Sequence, residues 1–249
     1  MRLLILFILL CGIAAPTWSQ YSNNLVFGVK AGFNQSSISQ LSSIFVSEDY
    51  YAGYSFNEKK QLKPSASLFV NYRINSSRIA LEGQVSYFQQ ATQLVYSDIK
   101  DFTYTTQFQY HYLGVGGYIK STVFKGFNIG VGMRMGINLS PDKISYSSNS
   151  IEINWAGSNE PHSDQETQDE LKNVIKGLNS TEFGVIASYE FNMGISIDFS
   201  YYLGLNDMVE TLVNRHDFIN SKNNTSSMQL TIGYAIAMDQ SKKDKQKRK

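Results

Sequence analysis

Eight stretches in which apolar and polar residues alternate predict an all-β chain: an eight-stranded antiparallel up-and-down transmembrane β-barrel with one short helix in a long extracellular loop. Three observations carry this reading. First, alternate positions Phe127, Ile129, Val131, Met133, Met135, Ile137 and Leu139 are apolar, a period of two held for longer than a usual soluble strand and suited to a tilted strand crossing a bilayer. Second, the residues between them are Asn128, Gly130, Gly132, Arg134, Gly136 and Asn138. Water-facing strands tend to carry Lys, Glu and Thr, whereas this set suits a cramped polar interior with the greasy side turned out to lipid. Third, the connections alternate in length, with short turns between stretches two and three, four and five, and six and seven, and longer polar segments elsewhere. Outer-membrane barrels sit with their long loops outside the cell, which puts both chain ends on the periplasmic side.

The chain opens with Met1 and Arg2, an apolar run from Leu3 to Ala15, and small residues one and three places before a cut after Ser19. Residues 1–19 therefore read as a cleaved secretory signal peptide, 20–238 as the barrel domain and 239–249 as a basic periplasmic tail. A membrane anchor is the rival for the first segment, but the run is shorter than the roughly 20 residues a spanning helix needs. Cys11 is the one cysteine and follows Leu10, where a lipoprotein site would want a small residue. The mature chain then has no disulfide, and its stability must come from a closed hydrogen-bond ladder.

The first stretch carries Leu25, Phe27, Val29, Ala31 and Phe33 opposite Gly28, Lys30 and Gly32. The second carries Ala66, Leu68, Val70, Tyr72 and Ile74 opposite Ser65, Ser67, Asn71 and Arg73, with Phe69 as the exception. After the turn Asn75-Ser76-Ser77, the third sets Ile79, Leu81, Val85 and Tyr87 against Glu82, Gln84 and Ser86. The fourth, about Thr106 to Thr122, is ambiguous: Phe108, Tyr110, Tyr112 and Tyr118 share one parity, and Leu113, Val115 and Ile119 the other. A bulge or kink near Gly114, Gly116 and Gly117 would switch its faces. The fifth is the run from Phe127, entered through Lys125-Gly126. The sixth sets Phe183, Val185, Ala187, Tyr189 and Phe191 against Glu182, Gly184, Ser188 and Glu190. The seventh sets Ile195, Ile197, Phe199, Tyr201 and Leu203 against Ser196, Asp198, Ser200 and Gly204. The eighth sets Met228, Leu230, Ile232, Tyr234 and Ile236 against Gln229, Thr231, Gly233 and Ala235.

The longest loop, about Ser140 to Ser180, holds one helical signal. Ser163-Asp164-Gln165-Glu166 matches a capping box, followed by Leu171, Val174, Ile175 and Leu178 with a stop at Gly177, a short amphipathic helix over the rim. This loop also carries Asp142, Glu152, Glu160, Asp164, Glu166, Asp169 and Glu170 against Lys143, Lys172 and Lys176. No calcium-loop spacing is present, so the acidic face is read as solvated surface. The net charge of +1 hides a split, with 15 Lys and Arg against 19 Asp and Glu from Gln20 to Met238 and a cluster of six basic residues in the tail. The tail lacks aromatic interleaving and belongs to an exported chain, which argues against nucleic acid and leaves anionic lipid headgroups as its minor option.

An eight-stranded barrel is just wide enough inside for side chains. Lys30, Arg73 and Arg134 should meet Glu82, Glu182, Glu190 and Asp198 there and pair, a lumen charge network holding the barrel closed rather than an ion path. Hydrolysis or transfer of lipid acyl chains would need serine, histidine and an acidic orienter at the rim. His111 has no serine beside it in sequence, while His162 and His216 lie in loops and the adjacency of His216 and Asp217 does not set up a triad. No metal cluster, phosphate loop or cysteine nucleophile appears, so neither an enzyme nor a cofactor is expected. Tyr50, Tyr51, Tyr54, Phe56, Tyr96, Phe102, Tyr104 and Trp155 fall to the interfacial girdle or to loop packing ahead of a binding surface.

Four segments carry a resemblance: Phe27-Gly28-Val29-Lys30-Ala31-Gly32-Phe33-Asn34, Ser67-Leu68-Phe69-Val70-Asn71-Tyr72, Phe183-Gly184-Val185 with Tyr189-Glu190, and Tyr201-Tyr202-Leu203-Gly204-Leu205. With them the chain resembles the PorT-like outer-membrane β-barrel family over nearly its whole mature length. The resemblance implies a barrel family of broad function, one branch of which is associated with an outer-membrane secretion machinery. It supplies no catalytic residues. The chain departs from the usual barrel ending, since Tyr234 is followed by Ala235-Ile236-Ala237-Met238 and the basic tail. The expected role is structural or interactive at the surface of the bacterial outer membrane, as a monomer in contact with outer-membrane lipid and with other outer-membrane or periplasmic proteins through its loops or tail. The alternatives are a narrow ion or small-solute channel, an accessory of a secretion complex, and a soluble lipid-binding barrel whose apolar faces would point inward.

Overall fold

The computed structural model describes residues 25–46, 52–74, 77–149, 151–153, 159–161, 163–191, 193–211 and 222–237. In chain order the elements are β1 (Leu25–Ile38), α1 (Ser42–Phe45), β2 (Tyr54–Arg73), β3 (Ile79–Asp98), β4 (Thr103–Phe124), β5 (Phe127–Asn138), β6 (Ile144–Ser148), β7 (Ile151–Ile153), β8 (Asn159–Pro161), α2 (Asp164–Val174), β9 (Ile175–Gly177), β10 (Ser180–Glu190), β11 (Ile195–Asp207), β12 (Val209–Thr211) and β13 (Asn224–Ala237). Eight of them close a ring, β1-β2-β3-β4-β5-β10-β11-β13 and back to β1, with every pairing antiparallel. Closure leaves no open edge in the ring, which is what a hydrocarbon surrounding demands of a sheet.

The distribution of polarity is inverted. Ile137 and Ile232 are 63% and 62% exposed, while Arg134 and Glu182 are 1% and 0% exposed. Leu68, Val85, Val115 and Phe199 also face outward, so the outer wall is an apolar belt and the soluble lipid-binding barrel is overturned. In β3 the belt runs from Ile79 to Tyr87, a length that suits a tilted strand in a bilayer.

At one end, the turn end, the strands are joined tightly. Lys125-Gly126 joins β4 to β5 and the segment ending at Gly194 joins β10 to β11. Gly126 and Gly194 adopt φ of +80° and +82°, the left-handed region where a Cβ is penalised. At the opposite, loop end the strands do not stop at the apolar belt. β2, β3 and β4 run on beyond it, and β6 adds to β4 from Phe108↔Ile144 to Tyr104↔Ser148.

Inside this extension polarity returns to normal, with an apolar core that includes Ile38, Leu41, Ile44, Phe88, Leu94, Phe108, Tyr110, Tyr112, Leu171 and Ile175. Water now lies outside, so the hydrophobic effect turns apolar side chains inward. Tyr54, Phe56, Tyr96 and Tyr104 pack on one another here, with ring centroids 4.9 to 6.2 Å apart. Tyr50, Tyr51 and Trp155 lie outside the described residues, as do the signal segment and the basic tail.

Three expectations are corrected. The connection between the third and fourth strands is a turn of four residues, Ile99 to Phe102, because the flanking stretches taken for loop are paired strand. Asp98 tightens it by accepting from the backbone N–H of Lys100 at 2.8 Å and of Phe102 at 3.1 Å. The fourth strand has no bulge at its glycines, since β3–β4 pairing is unbroken from Ile79↔Ser121 to Ser97↔Thr103 and the irregularity against β5 lies at Thr122/Phe124. Leu113, Val115 and Ile119 face out, and Phe108, Tyr110, Tyr112 and Tyr118 face in throughout. The helix begins as the capping box requires, with Ser163 Oγ accepting from Glu166 N–H. It ends at Val174, short of Gly177, because Ile175–Gly177 pairs as β9 with β12.

Candidate functional site

Because the ring is antiparallel and regular through the belt, inward parity on each strand delivers side chains to shared levels of the lumen. Arg134 on β5 and Glu182 on β10 are register partners. Glu182 accepts from Arg134 Nε at 2.7 Å and from the Nη2 group, and Gln90 Nε2 donates to it at 2.5 Å. Arg134 Nη1 donates to Gln229 Oε1 at 3.1 Å, and Gln229 Nε2 donates to Ser65 Oγ at 3.1 Å. Five strands are thereby tied through one guanidinium. Its faces are covered by Phe88 and Tyr202, with ring centroids 3.6 and 3.8 Å from Cζ. A planar, permanently charged fork with aromatic faces on both sides uses arginine in a way lysine cannot match.

Next toward the turn end comes a neutral layer, in which the Tyr118 hydroxyl donates to that of Tyr202 and Ile186 packs against both rings. Gly184 makes this possible, because a Cβ there would meet Tyr202 Cδ1 at 2.7 Å. Beyond it Glu82 receives Lys30 and Lys120, each Nζ 2.5 Å away, and Lys30 also reaches Asp198 at 3.1 Å. Arg73 and Glu190 stand at the mouth 3.9 Å apart, with their side chains 30% and 17% exposed. Arg73 Nη1 also donates to Thr122 Oγ1 at 3.1 Å.

Of the seven lumen residues named from sequence, Lys30, Glu82 and Asp198 meet near the turn end. Arg134 and Glu182 meet in a separate layer nearer the loop end, and Arg73 and Glu190 form a loose pair at the opening. Sequence reasoning missed Lys120, and with it the neutral tyrosine layer. The signal was present: Lys120 shares parity with Gly114, Gly116 and Tyr118, the face opposite Leu113, Val115 and Ile119. Phe88, Gln90 and Gln229 were likewise inward by parity and were not drawn into the network.

The geometry fills the lumen with one buried charge layer at the loop side, one hydrophobic and phenolic layer, and one buried charge layer at the turn side. Each of these buried ions has an opposite partner, and Arg134 and Glu182 also have neutral hydrogen-bond partners. His111 is elsewhere, on the outer wall, with Nδ1 against Tyr87 Oη at 2.5 Å and Nε2 against Lys143 Nζ at 2.8 Å. Both ring nitrogens are occupied, and neither meets a serine or a carboxylate. His162 and His216 lie outside the described residues, and of Glu152 and Glu160 only the backbone is described. Among the other loop acids, Asp142 pairs with Lys176 at 2.5 Å, Asp164 accepts from Ser148 at 3.0 Å and Asp169 pairs with Lys172 at 3.1 Å.

An inverted, closed, eight-stranded ring of this kind is an outer-membrane β-barrel. A sequence profile of the outer membrane protein beta-barrel domain family matches residues 18–210, and the chain belongs to that family. No curated protein matches it. Among solved structures it is similar to OprG from Pseudomonas aeruginosa, at 11% identity over 86% of this chain and 96% of that one with a TM-score of 0.41. It is also similar to Ail, the attachment invasion locus protein of Yersinia pestis, at 12% identity over 86% and 100% with a TM-score of 0.39. For neisserial surface protein A the values are 14% identity over 85% and 97%, with a TM-score of 0.36.

Proposed function

We propose that this chain is a non-enzymatic protein of the bacterial outer membrane whose filled lumen is structural and whose loop end faces outward, where it serves a structural or interaction role at the cell surface. The observation that carries this reading is the stack of two buried charge layers and a tyrosine layer, which occupies the lumen with paired side chains and moves contact chemistry to the rims. Three of the four loop-end connections are long, which supports this orientation, because outer-membrane barrels keep short turns in the periplasm and longer loops outside. The paired extension of β2, β3, β4 and β6 and the apolar core within it give the loop end a fixed shape, and fixed surfaces lose less entropy on association than mobile loops. Removal of residues 1–19 during export belongs to the same reading.

Cys11 precedes the cleavage position, so a cysteine placed at Asp101 in the β3–β4 turn would be the mature chain's single thiol. Labelling of that thiol by a membrane-impermeant maleimide in intact cells is the expected result. Labelling only after permeabilisation would sink the outward orientation. Gentle-detergent pull-down through the same chain then tests whether a protein partner is held.

A further inference from the structure

The outer wall of β3 and β4 carries a polar network at the loop-end border of the apolar belt. Two residues nearer the turn end on the same faces, Val85 and Leu113 are 50% and 48% exposed, so this border is where lipid tails give way to headgroups. Gln109 Nε2 donates to Gln89 Oε1 at 3.3 Å, and Gln89 Nε2 donates to Tyr87 Oη at 2.9 Å. His111 touches Tyr87 Oη at 2.5 Å and Lys143 Nζ at 2.8 Å.

Hydrogen-bond accounting then fixes what is left over. An ammonium has donors only, so Lys143 donates and His111 Nε2 accepts. The imidazole proton therefore sits on Nδ1 and is given to Tyr87 Oη, which already accepts from Gln89. Tyr87 spends its lone pairs inward along the wall and keeps its own O–H unspent. Lys143 keeps further N–H donors and its charge. Among the described residues it has no carboxylate partner, and the neighbouring Asp142 is held by Lys176 at 2.5 Å.

We propose that Tyr87, His111 and Lys143 form a binding site on the lipid-facing wall for a phosphorylated lipid headgroup of the loop-end leaflet. A phosphate oxygen accepts the Tyr87 O–H and the Lys143 N–H together, and His111 holds the two donors in position without touching the ligand. Charge-assisted hydrogen bonds of this kind are stronger than neutral ones, and a headgroup tethered by its acyl chains meets them at high local concentration.

The test uses the full mature chain in phosphatidylcholine nanodiscs doped with bisphosphorylated lipid A, with lipid A stripped of its phosphates, or with phosphatidylglycerol, and native mass spectrometry to read retained lipid. Lipid A as probe rests on the outward orientation proposed above, and phosphatidylglycerol separates failure of that orientation from failure of the site. Phosphorylated lipid A should be retained about tenfold over the stripped form, the equivalent of one charge-assisted bond. Lys143→Gln should abolish that preference, Tyr87→Phe should reduce it, and Lys143→Arg should keep it. All three side chains point outward, and an unchanged boiling-dependent gel shift certifies their folding. A Lys143-dependent preference for phosphatidylglycerol alone would keep the phosphate site and reverse the orientation. Equal retention of the phosphorylated and stripped forms, or no effect of Lys143→Gln, would overturn the proposal.

Discussion

Removing the charge of Glu182 while keeping its shape, by Glu182→Gln, should destabilise the barrel by about 3–5 kcal/mol, the range for stripping one partner from a buried ion pair. Arg134 is 1% exposed, gives Nε and Nη2 to Glu182 and Nη1 to Gln229, and has an aromatic ring on each face. Without the carboxylate its charge has no other acid within ion-pair distance among the described residues. Arg134→Met should cost a similar amount, because Glu182 would then keep only the neutral donors Gln90 and Thr225. The double variant Arg134→Met with Glu182→Gln removes both charges, so it should be less damaging than the two singles added together, with a coupling of roughly 3 kcal/mol. Urea unfolding in neutral-lipid vesicles, followed by the boiling-dependent gel shift, measures all four species. Singles within about 1 kcal/mol of the unchanged protein, or a strictly additive double, would refute the reasoning, since a solvated pair behaves that way.

Three further outcomes follow from other parts of the fold. Leu171 anchors α2 in the loop-end core at 2% exposure, so Leu171→Ala should cost about 2–5 kcal/mol locally and expose residues 163–178 to protease while the gel shift of the barrel stays unchanged. Gly184→Val would drive a side chain into the Tyr202 ring, and overpacking of about 1–3 kcal/mol should appear as a lower urea midpoint; an unchanged midpoint would mean the tyrosine layer is loose. The Asp169 carboxyl is held below the usual aspartate range because the Gln165 amide and the Lys172 ammonium donate hydrogen bonds to it. A lowered acid constant means these contacts support the folded loop above the ordinary aspartate range and are lost as pH falls through the depressed value, which an NMR titration of Asp169 reads directly.

The part of the fold inside the bilayer was legible because lipid imposes a rule on every second residue. Val29, Val85, Val131 and Phe199 had to be apolar to face tails, and the opposite parity had to be polar or small to fit the lumen. Beyond the belt that rule lapses. In β3 the inward residues Phe88, Leu94 and Tyr96 are interrupted by Gln90 and Thr92, and Ala91 between them is buried as well, so no simple alternation marks a strand that nevertheless runs to Asp98. The fourth strand misled for the same reason. Its half beyond the belt turns Phe108, Tyr110 and Tyr112 inward to a dry core, while its other half turns Leu113, Val115 and Ile119 outward to lipid. One parity therefore carries aromatic residues and the other aliphatic residues with no change of face. Lys120 was lost with that ambiguity. The pairing of Arg134 with Glu182 was foreseen only as a meeting of opposite charges, because register between strands distant in sequence is set by turns and closure that no local pattern records.

Whether the lumen is filled decides between a surface protein and a channel, and single-channel recording in planar bilayers measures it. The full mature chain should give no discrete conductance steps in concentrated potassium chloride, whereas a variant with Tyr118→Ala, Tyr202→Ala, Arg134→Ala, Lys30→Ala, Glu82→Ala and Lys120→Ala should give steps by opening all three layers. Stable, reproducible open steps from the unchanged chain, abolished by Arg134→Ala alone, would contradict the filled lumen and make Arg134 part of an ion path.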